Sequence, residues 1–89
     1  MSRWRVRFEE RAARQLFKLG TVHRKRVRSF IDNRVLANGN PRTLGKALAG
    51  ALDDLWSYRV GGVRILARIE DDILVVLVVE VGNRREVYR

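Results

Sequence analysis

Cysteine is absent, and the 89 residues hold one proline, one methionine and one histidine. Without cysteine there is neither a disulfide framework nor a thiolate metal site to hold a small fold together, and a reducing compartment suits the chain. A lone histidine, His23, excludes the paired imidazoles of a two-histidine acid–base nuclease, and its basic surroundings near a helix start give it a surface role. Long apolar runs are missing too. The longest, Ile73 to Val79, covers seven residues, well short of a membrane span. The opening MSRWRVRFEE is charged where a secretory signal needs an apolar stretch, so a cytoplasmic protein with no membrane partner is expected. No Gly/Ser linker, repeat or low-complexity tract interrupts the chain, and residues 1–89 are expected to form a single domain.

Acidic residues are scarce: 10 Asp and Glu against 19 Lys and Arg, a net charge of +9. Sixteen of the cations are arginine, whose planar fork suits phosphate and carboxylate, so polyanions are the natural partners. The imbalance is local. Residues 1–46 hold 13 basic and 3 acidic side chains, residues 47–89 hold 6 and 7. Hydrophobic residues make up 46% of the chain, ample for one core in a domain of this size.

Trp4, Val6 and Phe8 alternate with Arg3, Arg5 and Arg7, the period of a strand with one wet face, over about residues 3–8. Ala12, Ala13, Leu16 and Phe17 recur at helical spacing between Glu9-Glu10 and Gly20, which predicts a helix over 9–19. Thr21 is the expected N-cap of a second helix, whose apolar stripe is Val27, Phe30, Ile31 and Val35 and which ends near Gly39. Four strands follow, over 55–60, 63–70, 73–81 and 86–89, divided by Gly61-Gly62, Asp71-Asp72 and Gly82-Asn83. The expected fold is therefore α+β and two-layered, with the order β-α-α-β-β-β-β. Its two amino-terminal helices pack on one face of a mostly antiparallel sheet of about five strands. The uninterrupted Ile73–Val79 run should be central and covered on both faces.

Register carries the most information. If Gly61-Gly62 is a two-residue loop, Val60 faces Val63 and Arg59 lies across from Arg64. If Asp71-Asp72 is another, counting back pairs Arg64 with Val79. Ser57, Arg59, Arg64 and Arg68 then share one face, and Trp56, Tyr58, Ile65, Ala67, Ile69, Leu74, Val76 and Val78 share the other, which the helices should cover. Like charges placed opposite one another destabilise a sheet. Either Arg59 and Arg64 are solvated or neutralised by Glu80 or Glu86, or they cradle a phosphate whose oxygens turn the repulsion into recognition. Asp71 and Asp72 read as turn residues, Asp53 and Asp54 as flanks of a strand, and Trp4 and Trp56 as core. Gly61-Gly62 lacks the further glycines and Lys-Ser/Thr of a phosphate loop. Neither metal nor cofactor is expected.

The R-V-G-x-x-R-I segment ending at Ile65 and the V-G-x-R-R-E-V-Y segment ending at Tyr88 follow GKAL at 45–48 and a strand-helix-helix opening. Over essentially the whole chain this pattern resembles the RelE branch of the RelE/ParE toxin superfamily of bacterial type II toxin–antitoxin systems. The resemblance implies a metal-independent endoribonuclease, an mRNA interferase that cleaves messages in the ribosomal A site as the substrate's own 2′-hydroxyl attacks the adjacent phosphate. The matching positions are Arg59 and Arg64 for the scissile phosphate, Arg84 for the developing charge or the leaving 5′-oxygen, and Tyr88 for base stacking or a proton. Lys46, Arg68 and Arg85 are candidate RNA contacts around them.

The implied partners are the ribosome and mRNA, an acidic antitoxin from an adjacent gene, and operator DNA only as the toxin–antitoxin complex. One departure bears on activity: Ser57 stands where active relatives often carry a second basic residue two positions before the first cradle residue. A ParE-like toxin that inhibits DNA gyrase without cutting RNA is the alternative.

Overall fold

The computed structural model describes residues 3–48 and 54–83. Strand β1 (Arg5–Phe8) leads into helix α1 (Glu10–Lys18) and helix α2 (Thr21–Phe30), which continues as a π-helical turn over Ile31–Leu36. Strands β2 (Lys46–Ala47), β3 (Trp56–Val60), β4 (Val63–Glu70) and β5 (Val75–Asn83) complete a sheet of order β1-β5-β4-β3-β2. Only β1 runs parallel to its neighbour; the other pairings are antiparallel. The two-layer α+β reading holds, with two adjustments. β2 was not foreseen, because a two-residue Lys-Ala strand has no β signature. The strand expected over 86–89 lies outside the described residues.

The helices pack on one face. Ala12, Val27, Ile31, Val35 and Leu36 meet Tyr58, Val63, Ile65, Ala67, Val76, Val78 and Val81, each buried, with Trp4, Phe8, Leu16, Phe30 and Trp56 around them. Burying one such aliphatic side chain stabilises the fold by about 1.5–3 kcal/mol. The wide π turn keeps Ile31, Val35 and Leu36 all inward, which the 3.6-residue period would not do for so long a run. The expected N-cap Thr21 is instead the first helical residue. Gly20 precedes it, and the Thr21 hydroxyl accepts a hydrogen bond from Arg24 Nη2 at 3.1 Å. Once β1 ends at Phe8, α1 lines the edge of β5, where Gln15 Oε1 accepts the Val81 N–H at 2.9 Å, so that buried donor is satisfied.

The Gly61-Gly62 loop behaves as expected. Gly61 alone of the pair has a positive φ, 58°, as a hairpin turn with glycine at its first central position requires, and Arg59 pairs with Arg64. The next connection does not. Asp71–Ile73 form a 3-10 turn closed by Leu74 in the left-handed region, so the loop takes four residues and Glu70 pairs with Val75. Ile73, expected in the strand, is 63% exposed, and Leu74 belongs to the turn rather than to the apolar sheet face. A slip of two residues leaves every remaining side chain on its expected face. A bulge then adds one more: Leu66 pairs with Glu80 and Ala67 with Val78, leaving Val79 as the extra residue. Strict alternation would have pointed Glu80 into the core and Val81 out. The bulge reverses this, and Arg64 pairs with Gly82 rather than Val79. β5 is interior but not central; β4 is.

The 40–45 segment is anchored from several sides. Arg42 makes a bidentate pair with Asp71 at 2.9 and 2.6 Å and stacks over the Trp56 ring. The hydrogen bonds from Arg42 hold the Asp71 carboxyl below its ordinary range. Tyr58 donates its hydroxyl proton to the Pro41 carbonyl at 2.5 Å, and Gly45 lies so close that a Cβ there would meet the Tyr58 ring at 2.9 Å. Burial pushes the Tyr58 phenol up to about 12 from 10.0, against the opposing pull of Arg42. The unfolded phenol ionises near its ordinary value and the folded one about two units higher, so this contribution is intact below pH 10 and lost as pH rises through 12. Two units correspond to roughly 2–3 kcal/mol. Denaturant titrations from pH 9 to 12 should show wild-type stability falling more steeply than that of Tyr58→Phe; parallel curves would contradict this origin.

Candidate functional site

The sheet face turned away from the helices carries the expected basic residues. Cross-strand pairing sets Lys46 opposite Ser57, Ser57 opposite Leu66, Arg59 opposite Arg64 and Arg64 opposite Gly82. Arg59 and Arg64 occupy a non-hydrogen-bonded position one pair from the turn, where Cα atoms lie about 4.5 Å apart. Two guanidinium groups therefore rise side by side, Arg59 exposed and Arg64 half-buried. With Lys46, Ser57, Leu44 and Leu48 they line a concavity of ≈ 280 Å³, and none of the described residues lining it is acidic. Glu80, on the same face, instead reaches Arg11 at 3.0 Å.

Two features of this site escaped the sequence reading. Lys46 is among the candidate RNA contacts, but the short strand β2, which the sequence does not signal, brings it directly across from Ser57, so a cation reaches the serine's position from the neighbouring strand. Gly82, on the other flank of Arg64, stands where the sequence count had placed a valine and presents no side chain to Arg64. The signal for Gly82 lay in the clash between strict alternation and a buried Glu80.

Arg68 is not gathered with the others. It sits four residues along β4, on the same face, and its Nε donates to Asp54 Oδ2 at 3.1 Å. Between Arg68 and Arg64 a small apolar cluster of Leu55 and Leu66, with Leu48 and Val79 against it, covers part of the face. Arg84, Arg85 and Tyr88 lie outside the described residues, as do Asp53 and Glu86. Among the described residues no three His, Cys, Asp or Glu side chains come together as a metal set. No helix there is long and apolar enough to cross a membrane.

Positive charge and a concave face, with no carboxylate among the described lining residues, make this a candidate anion-binding site on a small α+β domain. The sequence profile of the ParE toxin of type II toxin–antitoxin systems, parDE, matches residues 6–88. The chain belongs to this RelE/ParE toxin family. Among solved structures it resembles the RelBE2 toxin–antitoxin complex of Mycobacterium tuberculosis, with 32% identity, TM-score 0.83, and 91% of this chain and 98% of that one covered. It also resembles the free toxin RelE of E. coli, in a mutant form, with 28% identity, TM-score 0.76 and coverage of 93% and 84%. The archaeal RelE–RelB complex of Pyrococcus horikoshii shares the fold at 22% identity and TM-score 0.71, covering 97% of this chain and 99% of that one. No curated protein matches by sequence.

Proposed function

We propose that this toxin is a ribosome-dependent endoribonuclease that cuts mRNA in the A site. The observation that carries the reading is the adjacent Arg59–Arg64 pair, bordered by Lys46 on one side and Gly82 on the other, in a concavity with no carboxylate among its described lining residues. A phosphodiester placed there gives its two non-bridging oxygens to the guanidinium groups. The neighbouring 2′-oxygen attacks phosphorus and loses its proton, the P–O5′ bond breaks, and the 5′-oxygen takes up a proton. Products are a 2′,3′-cyclic phosphate and a 5′-hydroxyl end, and no external water or metal enters this step. Arg59 and Arg64 hold the phosphate and stabilise the charge that grows on it. Arg84 and Tyr88 keep the roles the resemblance implies: Arg84 supports that charge or the leaving oxygen, and Tyr88 stacks on a base or moves a proton.

Lys46 answers the difficulty raised by Ser57, since it supplies a cation where active relatives carry one on β3. Lys46→Ala should lower cleavage by roughly 10²-fold, the scale of losing one charge-stabilising or proton-transferring group. Placing a lysine at position 57 of that variant should recover part of the loss. No recovery would mean that Lys46 acts elsewhere.

Solved relatives in complex with antitoxins support an acidic antitoxin partner from an adjacent gene, folding over the basic surface as it binds. Operator DNA would be bound only by the pair of proteins. Ribosome and message put the toxin in the cytoplasm.

The ParE name of the matching family favours a second reading, inhibition of DNA gyrase without RNA cleavage. Inducing the chain without antitoxin and mapping 5′ ends of translated messages separates the two. Codon-phased cuts are expected; growth arrest with intact messages and gyrase-linked DNA breaks would overturn the ribonuclease reading.

A further inference from the structure

We propose that the edge strand β1 is a phosphate rail for single-stranded RNA, separate from the cleavage cradle and continuous with it. The proposal rests on reading the open face as an RNA site, and extends it to residues that reading leaves unused. Arg3, just ahead of β1, and Arg5 and Arg7 within it are all exposed, whereas Trp4, Val6 and Phe8 pack against the core. Among the described residues none of the three arginines forms an ion pair, although Arg11, Arg14, Arg28, Arg42 and Arg68 each have an acidic partner. Alternate residues of a strand are about 7 Å apart on one face, which matches the repeat of phosphates along an extended polynucleotide. Successive arginines can therefore meet successive phosphates.

The rail also has a floor. Leu74 and Val75, with exposed Ile73, line a recess of ≈ 700 Å³ beside Arg3, Arg5 and Arg7, a seat for a sugar or the face of a base. It connects to the cradle: Arg7 pairs with Leu77 and Leu77 with Arg68, so the three lie in one row across the open face, spanning two strand spacings of roughly 10 Å. Arg64 then stands four residues along β4, about 13 Å further. An acidic peptide added as a new strand is the competing occupant. Arginines on an exposed strand edge oppose strand addition, and the shared face with Arg59 and Arg64 favours one polyanion lying across both.

The test measures binding of a short 2′-O-methyl oligouridylate, which cannot be cut by 2′-oxygen attack, as a function of salt. Arg3→Gln/Arg5→Gln/Arg7→Gln should lower the slope of log K against log salt by about 2, since each lost phosphate contact on a single strand contributes about 0.7. Affinity at low salt should fall at least tenfold. The control, Lys18→Gln/Lys25→Gln/Arg34→Gln, removes equal charge from the helical layer and should change the slope far less. Equal slopes for the two triples would reduce the rail to net charge and overturn it. So would unaltered RNA binding by the β1 triple together with lost binding of an acidic peptide such as polyglutamate. Because nothing is cleaved in this assay, slope loss in a protein that leaves messages intact would refute the ribonuclease reading and keep the rail.

Discussion

Arg64→Ala is expected to lower message cleavage by about 10²- to 10³-fold while leaving the fold intact, the scale set by removing one preorganised group that stabilises transition-state charge. Arg64 is the half-buried member of the pair, on the central strand, so its charge acts through less water than that of exposed Arg59. Arg59→Ala should accordingly cost less. Arg64→Lys should restore only part of the activity, because an ammonium cannot present two parallel donors to a phosphate. The alanine substitution also removes one of two like charges facing each other across β3 and β4, which relieves their repulsion. Thermal melts together with 5′-end mapping make the check, and an alanine variant that cuts at the wild-type rate would remove Arg64 from the chemistry.

Gly82→Glu should separate stability from activity in the same direction and more sharply. Gly82 lies opposite Arg64 on the open face, so a glutamate there sets a carboxylate beside the guanidinium and competes with the phosphate for it. Loss of cleavage should be at least as large as for Arg64→Ala. The sheet gains from replacing a glycine within a strand and from an opposite-charge cross-strand pair, together about 1 kcal/mol. Gly82→Ala should be far milder, because a methyl group neither neutralises Arg64 nor reaches the phosphate oxygens. A glutamate variant as active as wild type would show that the anion does not sit between β4 and β5.

Why Arg59 and Arg64 could be paired from sequence, and Gly82 could not, follows from local chemistry. Gly61-Gly62 marks a two-residue turn unambiguously, and everything within the β3–β4 hairpin follows from it. Asp71-Asp72 offers the same visual cue but sits in a four-residue connection, with Leu74 at φ 54°, a conformation that leucine side chains give no hint of. The resulting error was even and therefore harmless to the faces. The bulge at Val79 was invisible because one more valine in an apolar run leaves no mark on the hydrophobic pattern. The strand that carries Lys46 was missed for a third reason: it exists through tertiary anchoring, by Arg42–Asp71 and Tyr58–Pro41, rather than through propensity.

The bulge has a consequence for how the protein can diverge. Val79 divides β5 into an upstream stretch, Val75–Val78, that is paired with β1, and a downstream stretch, Glu80–Asn83, that passes the cradle. With an extra residue between them to absorb a change of phase, drift in one stretch does not dictate the facing of the other. Selection for a folded toxin and selection for its target can thus act on adjacent segments of one strand almost independently, so relatives with different targets can share one scaffold.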